Sequence, residues 1–314
     1  MAEMISTRAA YGNALCEFGE NPDIVALEAD LSTCTMSCTF QARYPDRHFN
    51  VGIAEANMID MAAGFAATGK IAFCHSFAMF TAGRGYEQIR NSVAYPHLNV
   101  KVIGSHAGIT VGEDGPTHQC VEDISLMRTI PGMVVLAPCD ANEAREAVRA
   151  MINYRGPVYM RTGRTAVECV TQTISWYRFE IGKGVTLRDG ADVTLVAAGL
   201  MVQQALRAAE LLSSEGISAR VIDMHTIKPL DKELIVKAVR ETGALVTAEE
   251  HSIIGGLGSA VAEVLCDKCP APLERVGMED VFGHSGEAGA LLRRYGLTPE
   301  HMVRRAKAAI SRKR

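Results

Sequence analysis

Short apolar runs alternate with longer stretches of helical period along almost the whole chain. Residues 23–30, DIVALEAD, read as a buried strand ending in carboxylates, and further strands are expected at 48–52, 70–74, 99–105, 134–137 and 158–161. Between them lie helical patterns at 6–18, with Ser6 or Thr7 as N-cap, from about 55 onward, up to about 94, and at 141–153. Strand and helix in regular alternation favour a mostly parallel sheet covered on both faces. The periodicity fades over 166–184, which reads as an inter-domain connection with a local hairpin. It resumes with strands at 193–197, 219–224, 244–248 and 273–276 and helices at 202–213, 232–241, 258–266 and 299–311. The expected fold is α/β with two doubly wound domains: 1–165, a linker 166–184, and a smaller domain 185–314.

Size and composition agree with this pattern. A chain of 314 residues, 48% hydrophobic and 6% aromatic, suits two α/β domains, each with its own core. A formal charge of -4 gives no reason to expect nucleic acid or an anionic membrane as a partner. The basic tail Arg304, Arg305, Lys307, Arg312, Lys313 and Arg314 reads as a solvated helix end. No apolar run is long enough to span a bilayer, and the N-terminus lacks the layout of a secretory signal, so a cytoplasmic location is expected. Nine cysteines, an odd number, read as reduced thiols; Cys266 and Cys269 form a CxxC with no second pair at metal-ligand spacing.

Three stretches carry possible chemistry. In NVGIAEANMIDMAAGFAATG, Glu55 shares a helix face with Met58, Ile59, Ala62 and Ala66, where a carboxylate needs a partner. An ordinary first-turn glutamate, partly exposed and favoured by the helix dipole, is the competing reading. In HSFAMF, Phe77 and Phe80 follow a strand; by spacing alone they are core residues. In GSHAGITVGEDGPTHQCVED, two histidines, several acids and four glycines make a loop suited to a polar ligand. GGLGS at 255–259 opens a helix but lacks the GxGxxG spacing, and no Walker pattern occurs.

The strings VGIAEANM, HSFAMF, HAGITVGEDGPTHQ and RTGR together closely resemble the transketolase group of thiamine-diphosphate enzymes, over essentially the whole chain. The resemblance implies a pyrimidine-binding domain followed by a transketolase C-terminal-like domain. It implies that Glu55 hydrogen-bonds the cofactor's aminopyrimidine ring and drives its tautomerisation, with Phe77 and Phe80 walling that ring. It assigns His118 to the reacting end of the sugar near the cofactor, as a possible proton shuttle, and Asp114 to a substrate hydroxyl. By spacing alone Arg161 and Arg164 would be surface charges; the resemblance makes His106, Arg8, Ser37 and Arg164 contacts of the substrate phosphate, Arg164 serving as a bidentate fork.

The family's GDG string and trailing Asn, which hold a divalent metal and the diphosphate, do not occur here. The chain is therefore expected to carry no metal site of its own and to be the C-terminal half of a split transketolase. Magnesium and the diphosphate would be held by an N-terminal partner subunit, in a heterotetramer of two of each, acting on sugar phosphates. The beta subunit of a 2-oxoacid dehydrogenase, a deoxyxylulose-phosphate-synthase-like enzyme and a non-catalytic interaction subunit are the alternatives.

Overall fold

The structure, a computed structural model, describes residues 3–313. Among these, a seven-stranded sheet has the spatial order Thr226–Lys228, Val134–Leu136, Val158–Thr162, Val100–Ser105, Ile71–Phe77, Ile24–Glu28, His48–Asn50. All neighbours are parallel except Thr226–Lys228, a strand supplied by the second half of the chain. Every residue of Ile24–Glu28 is buried because both faces of the sheet are covered. Period two sorts that strand: Val25 and Leu27 pack with Met58, Ile59 and Ala62 of the helix Glu55–Ala67, whereas Ile24 and Ala26 pack with Tyr11, Leu15 and Val148 on the other face. A second sheet of five strands runs Leu273–Met278, Leu245–Ser252, Val193–Ala197, Ala219–Asp223, Val185–Arg188, the last antiparallel. Both sheets carry helices, so the α/β class and two-domain architecture expected from the pattern are present. No helix among the described residues is long and apolar enough to cross a membrane.

Three segments differ from the sequence expectation. The strand expected at 70–74 continues to Phe77, because Ser76 and Phe77 find register partners in Gly104 and Ser105. Beyond it Met79–Arg84 and Ile89–Ala94 wind as π-helical turns. This segment rests directly on the helix Glu55–Ala67: a Cβ on Gly85 would lie 2.2 Å from Cδ1 of Ile59. The connection forms no local hairpin. Its extended piece Ala166–Glu168 pairs antiparallel with Met4–Ser6, and Gly163 N donates to Thr7 Oγ1 at 2.8 Å at the same corner. A three-residue strand needs an external ladder for its backbone groups, and the start of the chain supplies it.

The basic tail is more than solvated charge. Arg305 pairs with Glu274 at 3.2 Å and Glu279 at 2.8 Å and Arg312 with Glu274, tying the end of the chain to the strand Leu273–Met278 and the residue after it, while Lys307 pairs with Glu215 at the end of the helix Met201–Ser214. Arg314 lies outside the described residues.

Candidate functional site

Parallel strands end on one side of a sheet, so side chains just beyond their carboxyl ends are gathered by topology alone. His106 follows the strand Val100–Ser105, Arg164 follows Val158–Thr162, Phe77 ends Ile71–Phe77, and the segment after His48–Asn50 leads into Glu55. Arg8 enters from the first turn of the helix Thr7–Phe18, which Ser6 caps.

Glu55 opens its helix, yet its side chain is only 2% exposed, so the partly solvated first-turn reading does not hold. Its carboxylate Oε2 accepts a hydrogen bond from Nη1 of Arg84 at 3.2 Å, and that arginine is 59% exposed. Beside it the rings form one aromatic group. Phe77 and Phe80 lie 5.8 Å apart at 12°, His106 stacks on Phe77 at 4.0 Å, and His118 meets Phe80 edge-on at 5.4 Å. The Arg84 guanidinium covers Phe80 at 5.3 Å.

Next to the rings lies a cationic cluster. His106 has φ 58°, a left-handed conformation that turns its ring back over Phe77. Its Nε2 lies 3.3 Å from Nη1 of Arg8. Arginine only donates, so Nε2 accepts, and the ring proton sits on Nδ1, donating to Ser105 Oγ at 2.8 Å. Burial, with Arg8, Arg164 and His118 adding to it, holds the imidazole down at about 3, so it is neutral. Burial also lowers Arg8, a cost offset in part by Cys34. Arg8 donates to the Cys34 carbonyl at 2.8 Å; Arg164 donates to the Val111 carbonyl at 2.7 Å and stands 3.5 Å from Asp114. Two guanidiniums with one exposed carboxylate between them leave donors free for an anion.

The loop carrying His106, Asp114 and His118 is clamped by the second domain. Glu250 Oε1 accepts from Thr110 N at 2.7 Å, Gln119 Nε2 donates to the His284 carbonyl at 2.9 Å, and Ser252 N donates to the Val121 carbonyl at 2.7 Å. A Cβ on Gly108 would lie 2.2 Å from the Glu250 carboxyl carbon, which explains glycine there.

The group fits the ring of an aminopyrimidine: a buried carboxylate to accept N–H, with aromatic faces beside it. It does not fit a diphosphate with its metal. Among the described residues the three-residue group with metal-ligand geometry is Cys139, Glu143 and Asp223, buried at the seam between the sheets. These are already bonded to their surroundings: Cys139 Sγ to Asp223 at 3.3 Å, Cys139 N to Glu143 at 2.6 Å, and the Tyr177 hydroxyl to Glu143.

Comparison with known proteins decides the family. The pyrimidine-binding domain model of transketolase matches residues 3–169 and the transketolase C-terminal domain model matches 182–302. The chain belongs to the transketolase family. It is 51% identical to a putative transketolase C-terminal section of Methanocaldococcus jannaschii, over 95% of this chain and 94% of that one. It is 46% identical to a 6-deoxy-6-sulfo-D-fructose transketolase subunit of a Clostridium species, over 98% and 95% respectively. Among solved structures, a split-gene transketolase described as an inactive β4 tetramer superposes with a TM-score of 0.92 at 51% identity, covering 99% of this chain and 100% of that one. The Leishmania mexicana transketolase gives 0.82 at 26% identity, with this chain spanning 46% of it.

Two residues of this transketolase section sit elsewhere than the sequence suggested. Ser37 does not join the cationic cluster: its hydroxyl is buried, donates to Glu28 Oε2 at 2.6 Å and lies 3.1 Å from His48 Nε2. Met36, at φ 69°, turns the chain so that Cys34, through its carbonyl, is the member of the hydroxyl-rich loop that reaches Arg8. Arg161 is no surface charge but a buried partner of Asp123 at 3.0 Å. GGLGS is closed by protein, since Glu249 accepts from Leu257 N at 2.7 Å and Gly258 N at 2.8 Å. Arg84 escaped the sequence reading altogether, because its partner lies 29 positions away and no periodicity links them.

Proposed function

We propose that this chain is the C-terminal subunit of a split transketolase, moving a two-carbon ketol unit from a ketose phosphate to an aldose with thiamine diphosphate. It acts in the cytoplasm, as half of a heterotetramer of two chains of each kind. The N-terminal subunit holds the diphosphate and magnesium; the absence of a GDG string here supports that division. The inactivity stated for the related β4 tetramer agrees with it.

The observation that carries the reading is Glu55, a buried carboxylate whose single partner among the described residues reaches in from solvent, beside the paired rings of Phe77 and Phe80. Bound thiamine diphosphate supplies the electron sink for cleavage and re-formation of the carbon–carbon bond. Glu55 accepts a ring N–H, and the aromatic walls exclude water, which strengthens that hydrogen bond. Arg8, His106 and Arg164 anchor the substrate phosphate, remote from the bond that changes, so binding energy there orients the reacting end. His106 contributes through a tautomer change: its Nε2 accepts from Arg8 until a phosphate oxygen takes that donor, whereupon the ring proton moves to Nε2 to donate to the phosphate and Nδ1 accepts from the Ser105 hydroxyl. Asp114 accepts from a sugar hydroxyl. His118, half-buried at the edge of Phe80, moves a proton at the reacting end.

The test is reconstitution. Mixed with its N-terminal subunit, thiamine diphosphate and magnesium, the chain should transfer ketol units between sugar phosphates and should not decarboxylate pyruvate. Full turnover by the chain without a partner, or pyruvate decarboxylation by the pair, overturns the proposal.

A further inference from the structure

The two halves of the Glu55–Arg84 pair are unlike. The carboxylate is 2% exposed and belongs to the helix Glu55–Ala67, whereas the guanidinium is 59% exposed and comes from the π-helical turn Met79–Arg84. Arg84 makes two contacts with its head group: Nη1 at 3.2 Å from Glu55 Oε2, and the guanidinium plane within 5.3 Å of the Phe80 centroid. A guanidinium is a flat, weakly hydrated group with N–H donors around its edge and apolar faces. An aminopyrimidine is likewise flat, with a stacking face, an amino group that donates, and a ring nitrogen that becomes an N–H donor in its protonated or imino form. The acceptor and the aromatic face that such a ring needs are the ones Arg84 now uses.

We propose that Arg84 is an internal stand-in for the cofactor ring, occupying Glu55 in the unliganded chain and swinging outward when the ring arrives. The inference rests on the thiamine-diphosphate reading above. Arg84 has room to leave, since together with Phe80, Met79, Pro116, Thr117 and Phe282 it lines an open cleft of about 490 Å³. The latch is light: an ion pair with one end in solvent is screened and holds weakly. Its role is to keep a buried carboxylate paired. Cofactor binding therefore exchanges one partner of Glu55 for another.

The experiment is calorimetric titration of thiamine diphosphate, with magnesium, into the enzyme reconstituted from both subunits. Arg84→Met should tighten binding by roughly three- to tenfold, because the ring no longer competes with a resident cation. Arg84→Lys, which keeps a charge for the carboxylate but no flat face for Phe80, should fall between the two. Unchanged or weaker binding by Arg84→Met overturns the stand-in, as does a crystal structure of the loaded enzyme with Arg84 still on Glu55. Glu55→Gln in the same titration separates the two claims. If it binds like the wild type, the ring does not sit on Glu55 and both claims fall. If it weakens binding while Arg84→Met changes nothing, only the stand-in falls.

Discussion

Two places in this molecule concentrate charge, and they treat it differently. At the seam between the sheets, Asp123 is fully buried, pairs with Arg161 and accepts from the Tyr159 hydroxyl at 2.8 Å; Arg161 also donates to the Glu250 carbonyl at 3.1 Å. Along the carboxyl ends of the first sheet, Arg8, Arg164 and Arg84 each reach one or two acceptors among the described residues, and Glu55 has a single partner among them. Charge that is buried and paired inside the protein is architecture. Charge gathered by strand topology with bonding capacity to spare is suited to a ligand.

That contrast makes opposite predictions for activity and stability. Glu55→Ala in the reconstituted enzyme should lower kcat by about 10²–10⁴-fold, with an unchanged unfolding midpoint. Retained turnover would remove Glu55 from the chemistry. Asp123→Ala should instead cost about 3–5 kcal/mol of stability in denaturant titrations, because it strands a buried guanidinium. A loss under 1 kcal/mol would show that the seam pair is not structural.

A smaller effect is expected at Arg164, which is 40% exposed. Arg164→Ala should raise KM for the phosphorylated sugar by about tenfold, leaving kcat and stability nearly unchanged, with partial rescue by Arg164→Lys. Equal loss against an unphosphorylated ketose would argue against a phosphate contact.

The last effect is a slope with pH. Burial pushes the Glu28 carboxyl up to about 7, against hydrogen bonds from Ser37, Thr35 and Ala29 that favour the ionised form. A folded-state value raised above the unfolded one means a contribution present at low pH and lost as pH rises through the folded value. The stability of Glu28→Gln relative to wild type should therefore climb between about pH 4.5 and 7 and level off above. Taking the difference between the two proteins cancels the opposing slope from His75, whose burial lowers it to about 3. A flat difference would mean that Glu28 titrates as it does in the unfolded chain.

Which of these residues were visible in advance follows from how local their causes are. The buried strand Ile24–Glu28, the cap at Ser6 and the strand–helix rhythm of both domains are properties of neighbours in the chain, and all can be read from it. The edge strands Met4–Ser6, Val185–Arg188 and Thr226–Lys228 are short, and what defines them is a ladder partner far away in sequence. Ser37 looked like one more hydroxyl in a polar loop; a single left-handed residue before it sends its side chain inward to Glu28.

The amino-acid order was enough for the alternation that makes two α/β units, and for a set of chemically capable side chains placed just after strands. Those depend on spacing along the chain and on the shared direction of parallel strands. Folding alone decided that Arg84 meets Glu55, that Arg161 is buried on Asp123, and that the second domain grips the loop bearing His106 and His118. Each of these joins groups from separate elements, and the partner of a charge is chosen by distance in space, on which the order of residues places no direct constraint.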